Sequence, residues 1–337
     1  MQRSKIIGIG THLPERIVTN HDLEKMMETS DEWIVQRSGI KERRYVAPHE
    51  SNSDLGLIAA EKALKNSGIT KEQIDLIIYA TLSPDHEFPG TGCFLQAKMG
   101  LTNIPALDIR QQCTGFIYGL SIADQFIRTG MYKNILLVGG EVHSKGLDLT
   151  TRGRDTGVLF GDGAGAAVIT ATEVTNPETD SYLYSTHLYA DGSQAKELWI
   201  PAPGVGLGRA DRMSYAILDE GLHFPKMNGK KVFMAAVKNM SESLMDCLHK
   251  NNKKVEDIDL FLFHQANLRI NDAVADMLKI TQEKVFNTIE KYGNTTAATI
   301  PIGMDEAMKA GKLKPGMLVG LSAFGSGFTW AAGLLRF

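Results

Sequence analysis

Of the three cysteines in the chain, Cys113 stands where a thiol can be activated. It follows a polar run in D-I-R-Q-Q-C-T-G-F-I-Y-G and opens a helix. Unpaired backbone N–H groups and the macrodipole at a helix N-terminus favour a thiolate, so the position predicts a nucleophile of lowered pKa. A free cysteine is also a small core hydrophobe, and Cys93 and Cys247 read that way, each inside an apolar helical run. His264 ends the run L-F-L-F, at the carboxyl end of a buried strand where α/β folds bind ligands. Its other reading is a strand-end cap through a backbone hydrogen bond. Asn294, in K-Y-G-N-T-T-A-A-T-I-P-I, follows a glycine turn and precedes a helix of small residues, so it reads as an N-cap or a site amide. The string A-F-G-S-G-F-T-W-A-A-G at 323–333 offers bare N–H groups in a tight turn, either half of an oxyanion hole or simply a turn.

Other chemistries are excluded by spacing. Three cysteines without a C-x-x-C pair form neither a disulfide framework nor a zinc ribbon. The nine histidines show no H-E-x-x-H or similar spacing, so no metal site is expected. F-G-D-G-A-G-A-A-V-I at 160–169 runs into a strand-like segment where a dinucleotide fingerprint requires a helix, and Gly8-x-Gly10 is followed by Pro14. A net charge of −3 with scattered lysines and arginines gives no polyanion-binding surface, and nucleic acid is set aside. The N-terminal apolar run is too short for a signal segment, and no stretch approaches the roughly 20 apolar residues of a membrane span. A cytoplasmic protein is expected.

The elements that must position these residues alternate. Strand-like I-D-L-I-I-Y-A-T, N-I-L-L-V-G-G and I-D-L-F-L-F-H are separated by amphipathic stretches ending in glycine, an α/β pattern. The pattern repeats. A-L-K-N-S-G-I-T-K-E-Q-I-D-L-I-I-Y-A recurs as C-L-H-K-N-N-K-K-V-E-D-I-D-L-F-L-F-H, with Asp75 and Asp259 184 apart. R-T-G-M-Y-K-N-I-L-L-V-G recurs as K-A-G-K-L-K-P-G-M-L-V-G, with Gly130 and Gly311 181 apart and Gly139 matched to Gly320. Two similar halves are expected, residues 1–175 carrying the cysteine and 176–337 carrying the histidine and asparagine. The 181 spacing makes Cys113 and Asn294 equivalent, with the two helix starts facing one another across a pseudo-two-fold axis. Residues 171–230, rich in turn formers, read as an excursion of loops, either a lid or an inert insertion.

Together with D-E-W-I-V-Q-R-S-G-I-K-E-R-R near the start and F-G-S-G-F-T-W at the end, these residues resemble the β-ketoacyl-acyl carrier protein synthase III family, from about Ile7 to Phe337. The resemblance implies the thiolase fold, two pseudo-symmetric βαβαβαββ halves in a five-layer αβαβα arrangement, in a homodimer. It implies that Cys113 takes an acyl group from acyl-CoA, with the backbone N–H groups of Cys113 and Ser326 as oxyanion hole. Malonyl-acyl carrier protein then loses CO₂, its enolate oxygen held by His264 and Asn294, and attacks the acyl-cysteine. Fixed donors suit the charge that decarboxylation creates, and a cysteine thioester is a better electrophile than a serine ester. No cofactor is implied beyond the two substrates.

For CoA the family pattern points to Trp33, Arg37, Asn267 and Arg154, or Arg152 if counted from the other side. It points to Phe88, from the partner subunit, for closing the acyl tunnel. Arg269 and Lys230, with Lys226, Lys231 and Lys238, are the cations for the carrier protein. The chain departs from the pattern with G-S-G in place of G-G-G, with Met234 after Phe233, and with the 171–225 excursion. A related condensing enzyme or acyltransferase of alkylquinolone, resorcinol or polyketide metabolism is the alternative. Primer length and branching depend on tunnel depth, which side-chain placement sets.

Overall fold

The computed structural model describes residues 2–337. The near-continuous apolar runs seen in the sequence become strands buried on both faces, as parallel strands flanked by helices must be. One sheet contains β1 (Gln2–His12), β2 (Leu76–Ala80), β3 (Ala106–Ile109), β4 (Asn134–Glu141) and β5 (Gly163–Glu173), ordered β1-β5-β4-β2-β3. The other contains β6 (Tyr182–Ala190), β7 (Leu260–Phe263), β8 (Leu318–Gly325) and β9 (Thr329–Arg336), ordered β7-β8-β9-β6. In both, a parallel pair (β2–β4, β7–β8) continues into two antiparallel pairs. The place of β3 in the second sheet is taken by a single bridge between Phe261 and Val285.

The principal helices are α1 (Asp31–Ser38), α2 (Asn52–Ser67), α3 (Thr91–Lys98), α4 (Gly115–Arg128), α5 (Gly229–Lys250), α6 (Leu268–Leu278) and α7 (Thr299–Lys309). α2 begins with a Ser51–Asp54 capping box, ends at left-handed Gly68, and packs on the outer face of the first sheet. It lies so close to β1 that a Cβ on Gly10 would collide with the Ala59 carbonyl, which accounts for the G-x-G string without any nucleotide. α4 and α7 fill the space between the sheets, where Phe116, Ile117, Leu120, Ile300 and Met304 meet Ile78, Leu137, Leu262 and Leu321. Each such fully buried side chain stabilises by about 1.5–3 kcal/mol. α5 and α6 cover the outer face of the second sheet. The result is the expected five-layer αβαβα thiolase architecture.

The repeat needs correction in register. Turns Gln112–Thr114 and Thr296–Ala298 lead into α4 and α7 184 residues apart, and Gln112 and Thr296 share a positive φ of 44° and 51°. α4 has 14 residues and α7 has 11, so the spacing falls to 181 at the helix ends and returns to 184 in the strands through a longer loop. The strand pairings likewise match Gly320 with Leu136, and not with Gly139. Cys113 is therefore matched by Ala297; Asn294 lies three residues earlier. The two helix starts do pack against one another.

Two further expectations are overturned. The 171–230 stretch is no simple excursion, because it contains β6, a nine-residue strand paired along β9. Within it, 174–181 and 191–228 are irregular, the latter apart from short helical turns and the small pair Leu198–Trp199 with Lys226–Met227. Cys93 is exposed on α3, on the face turned away from the sheet, whereas Cys247 is buried. Among the described residues no helix is long and apolar enough to cross a membrane, and no cluster of three metal-ligating side chains occurs.

Candidate active site

Cys113 sits in the 3₁₀ turn that opens α4, directly after left-handed Gln112, a strained arrangement of the kind that presents a functional side chain. It packs on the backbone of Gly325, where an added Cβ would come within 2.8 Å of the Cys113 Cβ. That contact sets Gly325, which opens the turn 325–328, against the backbone and Cβ of Cys113. The thiol itself departs from expectation. Burial, reinforced by the nearby Glu141 carboxyl, pushes its pKa up to about 12, so the free protein holds a thiol at neutral pH despite the helix N-terminus.

His264 follows β7, and its backbone N–H donates to the Ser322 carbonyl at 2.9 Å, so the strand-end bond exists. The ring has a separate role: Nδ1 pairs with the Thr299 hydroxyl at 2.8 Å, while Nε2 is buried without a partner. Burial lowers the ring's pKa to about 3, which keeps it neutral. A buried polar nitrogen left unpaired calls for an explanation; here it lines a cavity.

Asn294 is pinned by its backbone, donating to Leu159 O and accepting from Gly161 N–H. Its Oδ1 accepts the Thr296 N–H at 2.8 Å. This fixes the amide so that Nδ2, the donor end, is the uncommitted one. Asn294 is not an N-cap, since Thr295 caps the turn and Ala298 caps α7; its oxygen is held by the turn's backbone, and the amide reading describes the nitrogen.

A cavity of about 670 Å³ joins the three residues. Phe324, Met240 and Phe160 give it apolar walls, and Lys230, Phe233, Asn267 and Arg269 stand along it. Trp33 borders it as well, with the guanidinium carbons of Arg37 and Arg154 each 4.6 Å from its ring. Arg152 points elsewhere, bonded to Asp148 at 2.6 Å and lying over Phe224. Asn267 is occupied structurally, capping α6 and donating to the Arg37 carbonyl at 2.8 Å. Arg269 lies over Phe233, Lys230 and Met234 are exposed, and Lys231 is paired with Glu197. Phe88 is 81% exposed on the loop between β2 and α3, outside this chain's cavity.

Three residues escaped sequence reasoning. Thr299 contacts His264, Thr296 orients Asn294, and His143 bonds the Thr296 hydroxyl. For the two threonines the only signal was the threonine-rich N-T-T-A-A-T following Gly293, and His143 carried none.

Comparison with known proteins agrees over the whole chain. The model of 3-oxoacyl-acyl-carrier-protein (ACP) synthase III matches residues 107–192, and that of its C-terminal part matches 248–337. A beta-ketoacyl-acyl-carrier-protein synthase III of Caldanaerobacter subterraneus subsp. tengcongensis is 44% identical over 331 residues, 98% of this chain and 97% of that protein. Its counterpart in Campylobacter concisus is 46% identical over 339 residues, 100% of this chain and 98% of that one. The crystal structure of 3-oxoacyl-acyl-carrier-protein synthase III from Aquifex aeolicus VF5 superposes with a TM-score of 0.89 at 43% identity, covering 99% of this chain and all of that one.

Proposed function

Because the chain belongs to the 3-oxoacyl-acyl-carrier-protein synthase III family and is a condensing acyltransferase of fatty acid synthesis, we propose how its residues divide the priming condensation. Cys113 Sγ attacks the thioester carbonyl of an acyl-CoA, its proton leaves with the CoA thiol, and the acyl group stays on sulfur. The backbone N–H groups of Cys113 and Ser326 hold the oxyanion of that step; Gly325 brings their two segments together. Malonyl-acyl carrier protein then loses CO₂, and the electron pair left behind makes its thioester oxygen enolate-like. His264 Nε2 and Asn294 Nδ2 donate to that oxygen. The carbanion attacks the acyl-cysteine carbonyl, the C–S bond breaks, and β-ketoacyl-acyl carrier protein departs while the sulfur regains a proton. The chain's own donors and thiol supply this chemistry, so the reading invokes no cofactor.

The single observation that carries the division is the pair of uncommitted nitrogens, His264 Nε2 and Asn294 Nδ2, in the cavity that holds the thiol. Trp33, with Arg37 and Arg154 close to its ring, suits the adenine and phosphates of CoA. Lys230 and Arg269 are the cations available to an acidic carrier protein. A homodimer is supported by the open edge of β3, with Leu107 exposed, beside the projecting Phe88. Asn294→Ala tests the division. It retains self-acylation by acyl-CoA and loses decarboxylation by about 10²–10³-fold, the usual cost of one oxyanion donor. Equal loss of both activities would make Asn294 structural.

A further inference from the structure

The Thr299 hydroxyl lies 2.8 Å from His264 Nδ1 and 2.9 Å from the Thr296 carbonyl oxygen. It has one proton and two neighbours able to accept it. The Thr296 carbonyl already has a second donor, the Thr299 backbone N–H, so the hydroxyl is free to turn away without leaving that carbonyl unpaired. Nδ1 meets only Thr299 among the described residues. If the hydroxyl turns to Thr296, Nδ1 must carry the ring proton and Nε2 presents a bare lone pair. If it turns to Nδ1, the proton of the neutral ring sits on Nε2. A developing enolate oxygen is repelled by the first arrangement and held by the second.

We propose that Thr299 is a positioning residue that donates to His264 Nδ1 and so selects the Nε2–H tautomer needed for the condensation step. Thr296 ties this device to the other donor. Its N–H holds Asn294 Oδ1, and its carbonyl is the alternative partner of Thr299. Its backbone occupies the left-handed region, costly for a β-branched residue, and its hydroxyl is bonded by the buried His143 of the first half. The two tautomers carry the same number of protons, so the selection leaves the site neutral. The inference rests on the reading of His264 as an oxyanion donor.

The test is ¹⁵N NMR of the full chain labelled at histidine, with the His264 resonances assigned by their loss in His264→Ala. Self-acylation and malonyl-acyl carrier protein decarboxylation are measured separately on the same samples. The native chain and Thr299→Ser place the proton on Nε2. Thr299→Val, of equal size but without the hydroxyl, loses the single Nε2–H signature. Its decarboxylation kcat falls roughly tenfold to hundredfold, less than on removing a donor outright, while self-acylation is unchanged. A native ring protonated at Nδ1 overturns the inference, a result readable even if the valine variant does not fold. So does a valine variant with an Nε2–H ring and undiminished decarboxylation. If His264→Ala and Asn294→Ala both still decarboxylate, the underlying reading fails; if they are inactive and only the Thr299 results disagree, this inference alone fails.

Discussion

Burial drives the two titrating side chains of the site in opposite directions, the Cys113 thiol up to about 12 and the His264 imidazole down to about 3. Each shift favours the neutral form, so thiol and neutral imidazole coexist across the physiological range. A ring whose folded pKa lies this low protonates only in strong acid. Decarboxylation by the pre-acylated enzyme is therefore expected to show no inflection near pH 6.5 between about pH 5 and 8. A rate that falls with an apparent pKa of 6 to 7 would contradict a neutral donor. The residue types of the site were legible in the sequence, because an isolated cysteine at a helix start, a histidine ending a strand and an asparagine after a turn are local signals. The protonation of Cys113 was not. Helix position argues for a thiolate, and only the walls that close over the sulfur reverse that.

At the scale of elements, the site is a meeting of segment ends: the turns before α4 and α7, the end of β7, and the turn from β8 to β9. Gly325 is the contact that lets two of these touch. Gly325→Ala places a Cβ 2.8 Å from that of Cys113, so one backbone must move; overpacking of this kind costs about 1–3 kcal/mol. Self-acylation is expected to fall at least about tenfold, as misplacement of reacting atoms does, with little change in secondary structure by circular dichroism. Wild-type acylation in this variant would show that the turn does not position the sulfur. Buried strands were readable from their unbroken apolar runs. β6 was not, since Y-L-Y-S-T-H-L-Y-A mixes polar residues into a strand flanked by turn formers. Nor was the repeat's register, because three residues lost from α7 are restored in the next loop, leaving two spacings that are both real.

For the molecule as a whole, the centre between the sheets carries a cost. Glu141, at the end of β4, is fully buried, and burial pushes its pKa up to about 7. The carboxylate accepts from the Ser83 hydroxyl at 2.5 Å and from the Leu82 and Ser83 N–H groups at 3.2 Å, anchoring the start of the Phe88 loop. A folded pKa above the ordinary carboxyl value means the fold favours the protonated form. The contribution is fully present below about pH 4.5 and is lost as pH rises to about 7, on the order of 3 kcal/mol. Glu141→Gln removes this titration. Its melting temperature relative to the native chain is expected to rise between pH 4.5 and 8, and a constant difference in thermal melts would refute the assignment. The doubled architecture was legible through the Asp75 and Asp259 match, since a repeat constrains the whole chain even when its fine register slips. The second-half partners of the site, Thr296 and Thr299, were not legible, because their hydrogen bonds depend on how α7 packs.

In the proposed reaction Cys113 carries the acyl group that malonyl-acyl carrier protein then extends. Incubating the full chain with a series of acyl-CoAs and reading its intact mass tests it most directly. The native chain gains one acyl group, Cys113→Ala gains none, and adding malonyl-acyl carrier protein discharges the adduct as β-ketoacyl-acyl carrier protein. No adduct with any primer, or an equal adduct on Cys113→Ala, would contradict the account.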